Sequence, residues 1–233
     1  MKLEIIHEDD VCIVINKPAG LAVQGGKGVK NSLDRILAET RSPPPLLVHR
    51  LDKDTSGLIL VAKTRESAAR FSRLFGEDRN PPRQASSKVP SPKPGIVKQY
   101  IAICLGCPVK KTGIINIELE IRGGMKKSET KYKVLKSGDL EGTEFSVLEL
   151  ELCTGRMHQI RRHLSMTGNP ILGDDKYGDF ASNKIFRKSI RLNKLLLHSY
   201  RIVIPSAADG FHLDLCAPPP EYFTMFTEGL NLP

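Results

Sequence analysis

Residues 48–64 read VHRLDKDTSGLILVAKT. A short apolar run, Leu46, Leu47 and Val48, enters a charged turn, and the chain leaves through Gly57 into a second apolar run at residues 58–62. That layout presents polar side chains at the end of a strand, where sites are commonly built. Two carboxylates, Asp52 and Asp54, lie in the turn. Aspartates cap turns often, and a single carboxylate can also serve as nucleophile or base. Spacing leaves both roles open. The order Asp54, Thr55, Ser56, Gly57 echoes an aspartic-protease signature, but that signature needs Gly two residues after the Asp and a second copy to share a proton, and neither is present.

Working outward, apolar runs bounded by Gly, Pro or Asp predict strands at LEIIH, VCIVIN, GLILVAK, QYIAICLG, GIINIELEI, TKYKVL, FSVLELEL, LLLHSYRIVI and FHLDLC. Helical spacing is found in NSLDRILAE, ESAARFSRLF, RMHQIRRHLS and EYFTMFTEGL. Strands outnumber helices and do not alternate with them regularly, which predicts an α+β fold, a mixed and mostly antiparallel sheet flanked by helices, and argues against a Rossmann-type arrangement. Residues 77–97, EDRNPPRQASSKVPSPKPGIV, hold five prolines and no apolar periodicity. They read as an inserted surface loop. At 233 residues the chain fits one domain spanning 1–233.

Lysine and arginine number 35 against 26 acidic residues, a formal charge of +9 that points to an anionic partner such as nucleic acid. No apolar run approaches the roughly 20 residues needed to span a bilayer, and the start MKLEIIHEDD lacks a signal pattern. A cytoplasmic, membrane-free protein is expected. The five cysteines are an odd number set in apolar segments, which suits reduced thiols. Cys104 and Cys107 form a CxxC without a second ligand pair, so no metal is expected. GGKG at residues 25–28 lacks the ending of a phosphate loop and the dinucleotide fingerprint, so no ATP or NAD is expected.

A second polar cluster, TGRMHQIRRHLSMTGNPILGDDKYG, fills residues 154–178. On a helix Met157, Ile160 and Leu164 would share a face, with Arg161 at its edge and Arg162 and His158 turned away. A buried arginine needs a carboxylate partner, and Asp52 is a candidate; the alternative is a stem lying on apolar surface with its head in water. His158 and His163, five apart, do not share a face as a zinc pair would, and read as RNA-facing or structural.

HRLDKDTSGLIL at residues 49–60 resembles the central signature of the RluA-type pseudouridine synthases, HRLD, two variable residues and TSG. The resemblance continues in order through DDVCIVINKPAGLAVQGG, KQYIAICLG, GRMHQIRRHL, ILGDDKYG and LLLHSYRIVIP. It implies a pseudouridine synthase catalytic fold and makes Asp52 the catalytic aspartate, Tyr100 the active-site tyrosine beside the target base, and Arg161 the partner of Asp52. It places Arg50 where an arginine fills the space of a flipped nucleotide and Leu197 in the apolar pocket wall. His49 and Arg156, within the same motifs, join them as substrate-binding candidates.

The implied reaction isomerises uridine to pseudouridine with no redox change and no transferred group, so no cofactor is implied. The target base must leave its stack to reach a buried aspartate. Structured RNA is the implied partner, ribosomal RNA first and transfer RNA second, with the protein acting as a monomer. The rival reading is an RNA-binding or ribosome-assembly factor with lost activity. Two departures from the family stand out: the proline-rich insertion, and a start that leaves no room for the small N-terminal S4 domain many relatives carry, as in an S4-less branch or a catalytic domain alone.

Overall fold

The computed structural model describes residues 2–26, 28–76, 95–140, 142–205 and 211–230. The apolar run after Gly57 forms β4 (Ser56–Ala62), every residue of which is buried. One edge pairs antiparallel with β2 (Cys12–Lys17), which pairs in turn with β1 (Glu4–Glu8). The opposite edge is shared. Ser56 and Gly57 pair in parallel with His198 and Ser199 of β11 (Leu197–Ile204), while Val61 and Ala62 pair with the two-residue β3 (Leu46–Leu47).

From β11 the sheet runs antiparallel through β5 (Val97–Leu105), β10 (Thr143–Leu152) and β9 (Thr130–Leu140) to β6 (Thr112–Ile115), and β12 (Leu213–Cys216) lies against β11. These ten strands carry a single parallel pairing, so the expected mixed and mostly antiparallel sheet is present. A separate hairpin joins β7 (Leu119–Ile121) to β8 (Gly124–Lys126).

Side-chain alternation assigns the two faces. Ile13, Ile15, Ile59 and Val61 point into the larger core, which also receives Leu33 and Leu37 of α1 (Leu33–Thr40), Ile160 and Leu164 of α3 (Gln159–Met166), Phe186 of α4 (Phe180–Ser189), and Phe226 of α5 (Thr224–Thr227). Cys12, Val14, Leu58, Leu60 and Ala62 point the other way, against Phe71 of α2 (Arg65–Gly76). Helices therefore flank both faces, and strands β2 and β4 read as continuous apolar runs because neither face meets water.

Three expectations need correction. The run GIINIELEI at residues 113–121 is not one strand: it divides into β6, which pairs with β9 in the main sheet, and β7, which pairs with β8 in the separate hairpin. The loop expected over residues 77–97 ends earlier, because Val97 already opens β5 and Gly95 and Ile96 are buried against the core, where the strand's pairing with β11 captures them. Residues 77–94 lie outside the described residues. The helix expected from Arg156 begins at Gln159, because His158 adopts the left-handed conformation at φ 53° and closes off regular helix before it. No helix among the described residues is long and apolar enough to cross a membrane.

Candidate active site

The turn between β3 and β4 is fixed from below by a buried lysine. Lys17, fully buried at the end of β2, donates to the carbonyls of Pro18, Leu21 and Lys53 at 2.9, 2.9 and 3.0 Å. Burial pulls its ammonium down to about 8, against the opposing pull of Asp54 and Asp52. The Gly20 amide donates to the same Lys53 carbonyl at 2.9 Å, so the peptide between the two aspartates is held from the β2 side. His49 holds the other flank. Its Nε2 accepts from the Leu60 amide at 2.9 Å, in the gap between the β3 and β11 pairings of β4, and its ring stacks on Phe75 at 4.0 Å. Burial, aided by the nearby Lys98 charge, brings the imidazole down to about 3, so it is neutral at physiological pH.

Behind the turn, the buried Ser56 hydroxyl lies 2.9 Å from His198 Nδ1, and the Tyr222 hydroxyl donates to Ser56 Oγ at 3.3 Å. His198 Nε2 faces the Ala217 carbonyl at 3.1 Å and must be the protonated nitrogen, so Nδ1 accepts from Ser56. These contacts lock the base of β4 to the C-terminal segment. Of the turn's two carboxylates, Asp52 is the one that reaches the cavity.

Among the described residues that cavity, about 410 Å³, is lined by 20, of which Asp52 is the sole carboxylate. Asp52 keeps about a fifth of its side chain exposed. Its Oδ2 lies 3.5 Å from Arg161 Nη1 and its Oδ1 lies 3.7 Å from His158 Nε2. Arg161 is buried, but its main partner is another residue: Asp174 receives Nε at 2.7 Å and Nη2 at 2.8 Å in a bidentate pair. The sequence reading offered Asp52 as the partner of Arg161, and the structure gives that place first to Asp174. Burial disfavours the Arg161 charge, but the Asp174 bonds outweigh it and raise the guanidinium above its ordinary range. For Asp174, burial pushes upward while Arg161 and the Lys176 and Tyr177 amides outweigh it, so the carboxyl sits below its ordinary range.

This division matters chemically. A carboxylate in a tight bidentate pair is a poor nucleophile and base. Because Asp174 absorbs the arginine, Asp52 is oriented across 3.5 Å without being consumed.

Tyr100 and Leu197 line the same cavity, both nearly buried, and Arg50, His49 and Arg156 complete the set expected from the sequence. Burial and the Asp52 charge push the Tyr100 phenol well above its ordinary value, so it stays protonated. Arg50 is exposed at the turn, and Arg156 reaches the Lys127 carbonyl at 3.3 Å. Sequence reasoning missed Asp174, Lys17 and His158, which it turned away from the site. An acidic residue was needed to balance Arg161, and the DD of ILGDDKYG was the available signal. His163 is structural: it is buried, with Ser128 and Thr130 hydroxyls at 2.9 and 3.0 Å from its ring nitrogens.

Among the described residues His7, Asp9 and Cys12 bring their ligand atoms within 4.8 Å of one another at the far edge of the sheet. Asp9 there already accepts from the Val11 and Cys12 amides, and burial pushes the Cys12 thiol up to about 12. That arrangement is a capped turn.

The family model for RNA pseudouridylate synthase matches residues 11–166, which include the turn, Tyr100 and α3. The chain belongs to that family. It is 35% identical to the ribosomal large subunit pseudouridine synthase C of Rickettsia felis over 94% of its own length and 68% of the relative's, and 36% identical to RNA pseudouridine synthase 4, mitochondrial, of Arabidopsis thaliana over 75% and 40%. Among solved structures, human RNA pseudouridylate synthase domain containing 4 superposes with a TM-score of 0.76 at 26% identity, covering 96% of this chain and 91% of that one. Human RNA pseudouridylate synthase domain containing 1 gives 0.72 at 25% identity, covering 94% and 84%. The fold is thus that of a pseudouridine synthase, and the activity is isomerisation of uridine in RNA.

Proposed function

We propose that this synthase acts on large-subunit ribosomal RNA and that Asp52 is its catalytic carboxylate, working on a uridine flipped out of its stack into the 410 Å³ cavity. The observation that carries the assignment is the position of Asp52 as the one carboxylate among the described residues that line the cavity, faced by an arginine whose charge another aspartate balances. The cavity is within the ~300–1,000 Å³ range of small-molecule sites. The names of the bacterial relatives support ribosomal RNA as the substrate.

The isomerisation breaks the bond between N1 and the ribose C1′, turns the uracil, and joins C5 to C1′; C5 gives up a proton and N1 gains one. Asp52 supplies the negative group against the nucleoside, Tyr100 and Leu197 wall the base, Arg161 orients the carboxylate, and Arg50 and Arg156 meet the RNA around the opening. His49 serves the site through its bond to Leu60.

The test is to map pseudouridine in total RNA from cells lacking the protein, complemented with wild type or with Asp52→Asn. One or a few positions in large-subunit ribosomal RNA should be lost and only wild type should restore them. Restoration by Asp52→Asn would remove Asp52 from the chemistry. Loss in transfer RNA alone would reassign the substrate, and no loss anywhere would favour a binding or assembly factor.

A further inference from the structure

His158 occupies a conformation that the local sequence does not favour. Regular helix from Arg156 would turn its ring away from the cavity. Instead the residue sits at φ 53°, outside the regular helix, and its imidazole lines the cavity beside Asp52. Non-glycine residues in this region are uncommon, and they concentrate where surrounding structure holds them for a purpose. The ring is held from behind. Nδ1 lies 3.0 Å from the Tyr177 hydroxyl, the two rings meet edge to face at 5.6 Å, and Tyr177 in turn lies under the Arg161 guanidinium at 5.2 Å.

Nε2 therefore points at Asp52 Oδ1, 3.7 Å away, while Arg161 Nη1 takes Oδ2. The two oxygens of one carboxylate are addressed by two donors from opposite ends of the same short segment. A 3.7 Å separation is too long for a formed hydrogen bond, but such contacts in substrate-free enzymes commonly tighten when substrate closes the site.

We propose that His158 is a positioning residue for Asp52: a neutral imidazole, set in its Nε2–H tautomer by the Tyr177 hydroxyl, that orients the carboxylate for turnover and whose protonation switches the site off. The inference rests on the assignment of Asp52 as the catalytic carboxylate. The groups facing the ring are Asp52 from the catalytic turn, Arg161 from α3, and Asp174, Lys176 and Tyr177 from the segment after it. Burial is the largest influence and disfavours the charged ring; Arg161 and Lys176 add to it, and Asp52 and Asp174 oppose it, leaving the group below its ordinary value. The imidazole is thus neutral at neutral pH. Once protonated, it would hold Asp52 in an ion pair, since among the described residues Asp52 is the carboxylate within ion-pair reach of the ring, whereas Arg161 has Asp174 in direct contact.

The sign follows directly. Activity is full above the folded-state value of His158 and falls as the pH drops through it.

The experiment measures tritium release from uridine C5 during turnover of an unmodified large-subunit ribosomal RNA transcript, over pH 5–9, roughly the window His titrates in. Wild type, His158→Ala, His158→Asn, Tyr177→Phe and Asp52→Asn are compared. His158→Ala should lower kcat about ten-fold or more with KM within about two-fold, and the acid limb of kcat should move to lower pH. Asn tolerates the left-handed backbone and keeps a donor, so His158→Asn should recover part of kcat while retaining the displaced limb. Tyr177→Phe should shift the limb without abolishing turnover. An inactive Asp52→Asn together with a His158→Ala enzyme of wild-type kcat and limb overturns this inference alone, as does an effect confined to KM. An active Asp52→Asn overturns the carboxylate assignment and this inference with it.

Discussion

At the scale of single residues, the site depends on how one buried guanidinium is balanced. Arg161 and Asp174 are 5% and 1% exposed, and removing one partner of such a pair leaves an uncompensated charge that costs about 3–5 kcal/mol. Asp174→Asn keeps the shape and removes the charge, so the protein should lose about 3 kcal/mol at pH 7, roughly 6–12 °C in Tm for a chain of this size. Because the folded Asp174 carboxyl lies below its unfolded value, its contribution is present above about pH 4 and lost as the pH falls through the folded value. Thermal melts at stepped pH should show the gap between wild type and variant at full size near neutrality and closing in acid. A gap independent of pH would show that the pair carries no such linkage. Asp52, Tyr100 and Arg161 were legible through the family motifs, and for Arg161 through a helix face, yet Met157, which helped define that face, proves to be 57% exposed and off the helix. Ile160 and Leu164 of that face do enter the core, and Arg161 is buried in its bidentate pair with Asp174. The Asp174 partnership was not legible, since it joins a helix to a turn 13 positions downstream and follows no local period.

Among the elements, the β4 and β11 junction sets where the site opens. The strands run parallel for only two pairs, and at Gly57 the β11 backbone leaves no room for a side chain: its φ is 107°, and a Cβ there would sit 2.2 Å from the Ser199 carbonyl oxygen. Backbone cannot yield as a flexible side chain can. Gly57→Ala should therefore force the strands apart, displacing Leu197 and Tyr100 on one side and the Asp52 turn on the other. Expected results are a Tm at least several degrees lower and little turnover in any protein that remains folded. A variant with wild-type Tm and kcat would mean that the junction adjusts freely. Eight of the nine strands anticipated from apolar runs are single strands, because burial leaves a direct mark on composition, whereas the run at residues 113–121 divides into β6 and β7. β3, β8 and α4 were missed for physical reasons. A two-residue strand has no period to detect, the hairpin strand β8 is exposed at every position, and α4 buries only Asn183 and Phe186 while Phe180 and Ile185 face solvent, so its apolar residues do not trace one side.

For the whole molecule, the excess of nine positive charges acts through where they stand. Among the described residues, Arg50, Lys98, Arg156 and Arg161 line the cavity with Asp52 as the one carboxylate. Since Asp174 balances Arg161, Arg50, exposed at the turn, is the cation of the lining to set against an RNA phosphate. Counterion release then predicts that this contact alone contributes about −0.7 to the slope of log affinity on log salt for an unpaired strand. Binding of a large-subunit ribosomal RNA transcript should weaken at least about two- to three-fold between roughly 50 and 200 mM salt. Arg50→Ala should flatten the slope by about 0.7 and weaken binding at low salt more than at high salt. Asp52→Asn should leave the slope at least as steep, because it removes a repulsive charge from the same opening. Filter-binding or anisotropy titrations across salt measure all three proteins in one series. A slope near zero, or one that Arg50→Ala leaves unchanged, would place the RNA backbone on another face of the molecule and separate the charge of the chain from the entrance of its cavity.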